Sequence, residues 1–266
     1  AASNRIFSFA EQFKQNGYRV KVISPLPNYP TGKVYKEYKG KSIHREKLEG
    51  INVVRLFIIA SNSTNKFKRL FSILSYALSV FFYLLLSKTS DKIIIQCSPL
   101  IIGFFAIIGA KLRSKKIILN VSDLWPLAGL EMGILSKGNY YYILEKMELY
   151  IYKSSSVILG QSSEILKHVN ETLGVNNKKL FLYRNYPQFE LPNVNLQAKN
   201  DKVKFVYAGL IGIAQGIDAI CEKVDFPANS EFHIYGDGPI SEKVKTIAET
   251  KNNIFYHGSL ARKELH

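Results

Sequence analysis

The feature that most constrains the fold of this 266-residue chain is a regular alternation of short apolar runs with longer helical patterns. Each run is continuous, rich in β-branched side chains and bounded by polar or turn-forming residues. Such runs are typical of parallel strands that are covered by helices on both faces. The pattern therefore predicts an α/β fold, with strands at residues 18–23, 51–57, 92–96, 116–121, 156–159, 179–183, 204–208, 231–235 and 253–257.

The alternation lapses once, between residues 187 and 201, where prolines and asparagines occur without periodicity. We interpret this stretch as a linker between an α/β domain at 1–186 and a second one at 202–266. The first domain opens on a helical pattern where an α/β unit would have a strand, and the second contains only three predicted strands. We therefore expect the natural protein to continue at both ends, with the second domain incomplete here.

The net charge of +15 is confined to the first part of the chain. Residues 1–195 contain 27 Lys and Arg against 12 Asp and Glu, whereas residues 196–266 contain nine of each. A localised excess points to an anionic partner for that part alone. Nucleic acid, an anionic membrane surface and a merely solvated basic surface all fit. Because the basic residues are scattered rather than gathered into one stripe, we expect no nucleic-acid partner.

Residues 65–86 form the most apolar segment, and the basic residues Lys66, Lys68 and Arg69 lie at its start. The apolar run 71–86 is shorter than the roughly 20 residues of a membrane-spanning helix. Two interpretations stay open: a buried core helix, or a helix that dips one apolar face into a membrane while the basic cluster contacts lipid phosphates. The two cysteines, Cys97 and Cys221, are far apart and indicate no disulfide framework, which fits a reducing cytoplasm.

A glycine-rich loop follows the predicted strand at 204–208, with glycines at Gly209, Gly212 and Gly216 and a helix predicted from near Gln215. A loop between a strand and a helix N-terminus can present backbone N–H groups to a phosphate. The spacing matches neither the dinucleotide fingerprint nor the Walker loop. A tight turn that binds nothing fits the spacing equally well.

Polar residues also end the strand at 116–121, where Ser122, Asp123 and the only tryptophan, Trp125, occur together. In open α/β sheets, ligands bind beyond the carboxyl ends of the strands. A carboxylate there can accept a hydrogen bond from a substrate hydroxyl, and an indole can pack against a sugar. Alternatively, Asp123 caps the next turn and Trp125 fills the core. The histidines lack metal-ligand spacing and no nucleophile motif occurs, so we expect neither a metal site nor a hydrolase.

Five motifs occur in a fixed order: Pro27-Asn-Tyr-Pro-Thr-Gly-Lys-Val-Tyr35, Ser122-Asp-Leu-Trp-Pro126, Ala208-Gly-Leu-Ile-Gly-Ile-Ala-Gln-Gly-Ile-Asp218, Tyr235-Gly-Asp-Gly-Pro239 and Phe255-Tyr-His-Gly258. In this combination the chain resembles family-4 retaining glycosyltransferases of the GT-B architecture, which has two Rossmann-like domains. The first two motifs are similar to those of a bacterial subgroup described as colanic-acid or fucosamine transferases.

The resemblance implies a hexosyl or N-acetylhexosaminyl transferase of surface polysaccharide synthesis, located at the inner face of the cytoplasmic membrane. Its substrates would be a UDP- or GDP-sugar donor and a polyprenyl-diphosphate-linked glycan acceptor, with no cofactor or metal. The implied donor-binding residues are Gly209, Gly212, Gln215, Gly216, Gly236, Asp237, Gly238 and Pro239. Asp123 would be catalytic, and the acceptor or sugar contacts would be Ser122, Trp125, Asn4 and Arg5.

The sequence departs from the family pattern in its diphosphate loop, where Leu210, Ile211 and Ile213 stand in place of a cation and Gln215 replaces the usual Lys. The family's first strand would precede Ala1, and its two-glutamate donor motif would follow His266. We therefore expect this stretch of chain alone to be inactive. Alternative functions are a non-catalytic nucleotide- or nucleic-acid-binding protein and a GT-B epimerase.

Overall fold

A computed structural model describes residues 2–29, 31–63, 65–174, 179–184 and 202–260. The chain divides into two compact units, Ala1–Gln188 and Phe189–His266. The predicted linker at 187–201 lies outside the described residues. Both units alternate strands with helices, as the sequence pattern predicts for an α/β fold.

The first unit contains seven strands and six helices in its described ranges. Its strands are β1 (Lys21–Pro25), β2 (Ile43–Leu48), β3 (Ile51–Leu56), β4 (Lys92–Gln96), β5 (Lys116–Val121), β6 (Val157–Gly160) and β7 (Leu180–Leu182). Its helices are α1 (Ala2–Gln15), α2 (Lys66–Leu86), α3 (Leu100–Leu112), α4 (Leu127–Glu131), α5 (Asn139–Ser154) and α6 (Ser163–Leu173). A 3₁₀ turn at Lys36–Tyr38 lies in the proline-rich loop.

Four strands of this unit, β4-β5-β6-β7, form a wholly parallel sheet in sequence order. Consecutive parallel strands are joined by right-handed crossovers, so α3, α5 and α6 lie on one face of this sheet. Ser162 begins α6 by accepting a hydrogen bond from Ile165 N, and Gly174, in a left-handed conformation, ends it. Serine at the start and glycine at the end are residue types favoured at these two positions of a helix.

The remaining strands form a sheet of order β1-β3-β2, in which β2 runs antiparallel to β3. The expectation of parallel strands throughout is wrong here, since the sequence analysis missed β2. Its segment is largely charged and shows no apolar run. A two-residue turn at Glu49 and Gly50, both with positive φ, joins β2 to β3. Positive φ at both central positions is the geometry of the hairpin turn that matches strand twist.

Helix α2 begins at Asn65, whose side chain accepts hydrogen bonds from Phe67 N and Lys68 N. It is 21 residues long and packs lengthwise against α3. The two helices approach closely at Gly109, where a β-carbon would lie 3.0 Å from the carbonyl oxygen of Phe81. The inner face of α2 therefore belongs to the core, while its outer face is exposed.

The second unit is a parallel three-stranded sheet of order β10-β9-β8. Its elements are β8 (Val203–Ala208), a 3₁₀ turn at Ile213–Gln215, α7 (Ile217–Lys223), β9 (Ser230–Tyr235), α8 (Ser241–Glu249) and β10 (Ile254–Gly258). Both helices cover the same face, because both crossovers are right-handed. That face carries a separate core that includes Ile211, Phe232, Ile234 and Val244.

Candidate functional site

Two glycine loops meet at the carboxyl ends of the adjacent strands β8 and β9. Gly209 N donates a hydrogen bond to Tyr235 O over 2.9 Å, and Ile211 N donates to Asp237 O over 3.0 Å. A β-carbon at Gly236 would collide with Gly209 O, and one at Gly238 would collide with Ile211 O. The glycines of the second loop are thus required for the backbones of the two loops to touch. The structure brings the predicted donor-binding positions together.

The first loop differs from the prediction at its end. Its helix α7 begins at Ile217, not near Gln215, because residues Ile213–Gln215 form a 3₁₀ turn and Gly216 has a left-handed φ of 62°. Gly212 N and Ile213 N make no hydrogen bond within the described ranges, and both lie at the start of that turn. The donors that can reach an anion therefore belong to the turn preceding α7.

Side chains hold both loops in place. The Tyr207 hydroxyl donates to Leu210 O over 2.6 Å, and the Asp237 carboxylate accepts a hydrogen bond from Gly238 N over 2.7 Å. Lys243 contacts α7 and is paired with Asp218 at 2.7 Å and with Glu222 at 3.1 Å. Its hydrogen bond holds the pKa of the Asp218 carboxyl below its usual value. Within the described residues, the polar contacts of Lys243 are thus with α7 and not with the loop.

In the first unit, Asp123 is exposed just beyond β5 and takes part in a chain of polar contacts. The Ser122 hydroxyl donates to the Asp123 carboxylate over 3.3 Å and accepts a hydrogen bond from the Gln96 amide over 2.6 Å. The Gln96 side-chain carbonyl in turn accepts from the Asn120 amide over 2.8 Å. This chain runs from a fully buried amide to an exposed carboxylate at the edge of the sheet.

Gln96 and Asn120 are the residues of this site that the sequence analysis missed. They occupy directly paired positions on β4 and β5, so their side chains share one face of the sheet. Asn120 is 2% exposed, and its side-chain oxygen finds no donor within the described residues. Each apolar run contains one uncharged polar residue, which was the available signal. The register that places these two residues opposite each other cannot be read from either run alone.

Trp125 is only partly exposed, and its ring packs closely against Gly129 of α4 and near Leu135. Asp123 makes no cap to α4, whose N-terminal residue Pro126 has no side-chain cap. The structure therefore places Asp123 at the surface and Trp125 against the core. Asn4 and Arg5 lie in the first turns of α1, and their side chains are outside the described set. Lys66, Lys68 and Arg69 are exposed in the first turn of α2.

A second group of ionisable side chains lies along α5 and is not among the predicted site residues. The Tyr152 hydroxyl donates to the buried Glu148 carboxyl over 3.0 Å, and burial raises the pKa of Glu148 to about 7. Glu148 borders a cavity of about 910 Å³, whose other lining residues include Leu127, Tyr141, Glu145 and His168. Burial also raises the pKa of the Cys97 thiol to about 12, which makes this cysteine a poor nucleophile.

Comparison with solved structures identifies the architecture. The lipopolysaccharide outer core galactosyltransferase WaaB superposes with a TM-score of 0.50 and 14% identity, covering 93% of this chain and 70% of WaaB. UGT89C1 of Arabidopsis thaliana, solved with UDP-L-rhamnose, gives 0.52 and 12% identity over 95% of this chain and 64% of that one. This is the GT-B fold.

Curated proteins with similar sequences are bacterial glycosyltransferases. The chain is 27% identical over 180 residues to the probable glycosyltransferase WbjE of Pseudomonas aeruginosa, and 23% identical over 264 residues to the putative colanic acid biosynthesis glycosyl transferase WcaI of Escherichia coli. These alignments include 61% and 91% of this chain, and 42% and 63% of the respective relatives. No protein-family profile matches the sequence. The GT-B fold and the similarity to colanic-acid transferases, both predicted from the motifs, are confirmed.

Proposed function

We propose that the protein is a retaining glycosyltransferase of bacterial surface polysaccharide synthesis. It transfers a hexosyl or N-acetylhexosaminyl group from a UDP- or GDP-sugar to a polyprenyl-diphosphate-linked glycan. The observation that carries the proposal is the meeting of the two glycine loops at the carboxyl ends of β8 and β9, within a GT-B fold. Ligands of open α/β sheets bind at this edge. The similarity to WbjE and WcaI supports the same reaction class.

In the proposed reaction, the bond between the sugar and the nucleoside diphosphate breaks and a bond to an acceptor hydroxyl oxygen forms. The departing diphosphate gains negative charge, which Gly212 N and Ile213 N can stabilise by donating hydrogen bonds. The loop contains no Lys or Arg, so the stabilisation that it supplies comes from these neutral backbone N–H groups. The proton of the acceptor hydroxyl passes to the Asp123 carboxylate, which Ser122 orients by donating a hydrogen bond to it.

The location that we propose is the inner face of the cytoplasmic membrane, with the protein bound peripherally. A polyprenyl-linked acceptor is anchored in the membrane, so the domain that takes the acceptor must work at the lipid surface. The excess of positive charge in residues 1–195 supports this location, because that leaflet carries anionic lipids.

Assays with radiolabelled UDP- and GDP-sugars, isolated membranes and the natural full-length protein test the transfer. Gly212→Ala should weaken donor binding at least about tenfold, because its β-carbon would lie 2.6 Å from Gln215 Oε1 and would shift the loop whose N–H groups hold the phosphate. Gly138→Ala is the matched control, since its backbone is extended and its β-carbon meets no atom within 4 Å. If no donor binds and none yields lipid-extractable label, the proposal fails.

Asp123→Asn should lower turnover by about a hundredfold while leaving donor affinity unchanged, because only the acceptor hydroxyl loses its base. Equal loss of both quantities would show that Asp123 acts in folding instead. Conversion of a nucleotide-sugar without any acceptor would favour the epimerase alternative and contradict transfer.

A further inference from the structure

The outer face of α2 carries a continuous strip of large apolar side chains that no described residue covers. The members recur at helical spacing and are Phe67 (74% exposed), Phe71 (64%), Leu78 (42%), Phe82 (51%) and Leu86 (77%). A surface helix normally turns its polar residues outward and its apolar residues to the core. Helix α2 is apolar on both faces, and only the inner one, with Tyr76, Val80 and Leu84, is buried.

The strip continues sideways through a row of aromatic rings in edge-to-face contact. Phe82 contacts Phe81 with ring centres 5.1 Å apart, and Phe81 contacts Phe105 of α3 at 6.3 Å. Phe105 contacts Phe104 at 5.9 Å, and Phe104 contacts Tyr150 of α5 at 5.5 Å. The row joins three neighbouring helices. We call the exposed strip of α2 and this row the aromatic face.

The aromatic face is bordered by basic residues. Lys66, Lys68 and Arg69 occupy the first turn of α2, and the Lys111 ammonium lies 5.3 Å from the centre of the Tyr150 ring at the other side of the row. Neither α2 nor α3 contains an acidic residue. Large exposed apolar patches rimmed by charge mark interaction sites rather than ordinary surface.

We infer that the aromatic face docks the protein on an anionic lipid bilayer, with α2 lying in the plane of the headgroups and its phenylalanines in the acyl boundary. Phenylalanine and leucine on one face with Lys and Arg beside them are typical of interfacial helices. A second copy of the chain is disfavoured as occupant, since it would present the same positive charge. Helix α2 does not span the bilayer in this arrangement, because its inner face is part of the core.

This inference rests on the proposed peripheral location and adds the residues that carry it. It extends the predicted contact, Lys66, Lys68 and Arg69, to an apolar surface that reaches α5. Charge brings the protein to the membrane, and insertion of the aromatic side chains retains it. Binding therefore requires both anionic lipid and the exposed phenylalanines.

Flotation of the purified natural full-length protein with lipid vesicles tests the inference. Wild-type protein should float with vesicles of phosphatidylcholine and phosphatidylglycerol in equal parts, and at least about tenfold less with phosphatidylcholine alone. Phe71→Ser with Phe82→Ser should reduce flotation on the mixed vesicles at least about tenfold. The matched control is Tyr29→Ser with Ile134→Ser, which removes exposed apolar side chains from outside the aromatic face.

Charge reversal of Lys66, Lys68 and Arg69 to Glu should likewise release the protein, whereas reversal of the exposed Lys36, Lys39 and Lys47 should not. Depth is measured with brominated lipids, which should quench the emission that Phe82→Trp adds to that of Trp125, but not the emission that Ile43→Trp adds. All variants lie at exposed positions, and circular dichroism checks that they fold.

Unchanged flotation of both α2 variants would overturn the inference, as would a dimer that Phe82→Ser converts to a monomer without any effect on lipid binding. Nucleotide-sugar binding is measured on the same samples. A protein that floats but binds no donor would support the docking surface and contradict the transferase proposal. A protein that binds donor but never floats would support the transferase proposal and contradict the docking surface.

Discussion

At the scale of single residues, Glu148 is the side chain whose environment predicts a measurable property. Its pKa rises from 4.5 to about 7 because burial disfavours the carboxylate. A carboxyl group with a higher pKa in the folded protein than in the unfolded chain holds its proton more tightly when folded. The free energy of unfolding should therefore fall as pH increases from about 4.5 through 7, and the contribution is fully present only below that window.

We expect Glu148→Gln, which keeps the shape but cannot ionise, to remove this pH dependence. Relative to wild type, the variant should gain about 2–3 kcal/mol of unfolding free energy between pH 5 and pH 8. Urea unfolding at both pH values measures the difference. Tyr152→Phe should steepen the pH dependence instead. The Tyr152 hydroxyl stabilises the Glu148 carboxylate by donating a hydrogen bond to it, so its removal should raise the pKa of Glu148 further. Parallel stability profiles for wild type and Glu148→Gln would show that the carboxyl does not titrate on folding.

At the scale of elements, the sequence predicts the strands that contain a clear run of apolar residues. Strands β4 and β5 have the predicted bounds, because their apolar runs, Lys92–Gln96 and Lys116–Val121, pair in a parallel sheet in which β5 is mostly buried. Strand β2 could not be predicted in the same way. It pairs only with β3 in its sheet, and charged side chains on such an edge strand protect it from pairing with other chains. Helix α4 is only five residues long and shows no periodicity.

The turn between β2 and β3 gives a prediction of its own. Glu49 has a φ of 48°, a conformation that asparagine adopts more readily than glutamate. Glu49→Asn should therefore raise the free energy of unfolding by about 0.5 kcal/mol, whereas Gly50→Ala should lower it by about 1 kcal/mol because Gly50 has a φ of 80°. Glu49→Gln removes the same charge without the backbone preference and serves as the control. Equal effects of the Asn and Gln substitutions in urea unfolding would assign the change to charge.

At the scale of the whole molecule, two separate hydrophobic cores predict two unfolding transitions. Ile158 belongs to the core of the first unit and Ile234 to that of the second, and both are fully buried. Truncating either to Ala should cost about 2–5 kcal/mol. In differential scanning calorimetry, Ile158→Ala should lower the temperature of one transition and Ile234→Ala that of the other. A single transition that both variants shift alike would show that the units unfold together.

The candidate site was predictable from sequence to a different depth in each unit. The glycines at Gly209, Gly212 and Gly216 indicated a loop of special conformation and, together with the other motifs, the GT-B resemblance. The 3₁₀ turn that delays the start of α7 was not predictable, because it rests on two local hydrogen bonds, Gln215 N to Gly212 O and Gly216 N to Ile213 O, that leave no mark in the apolar pattern. The Gln96–Asn120 pair was hidden for a different reason, since it exists only once β4 and β5 are in register.

The contact between the two glycine loops has a consequence for engineering. Because the backbone at Gly236 and Gly238 rests on the carbonyl groups of Gly209 and Ile211, neither loop has an independent shape. If one loop alone were replaced by that of a relative, its backbone would not fit against the other, unchanged loop. The proposed donor site should therefore be exchanged as a unit, in which residues 209–216 and 236–239 move together.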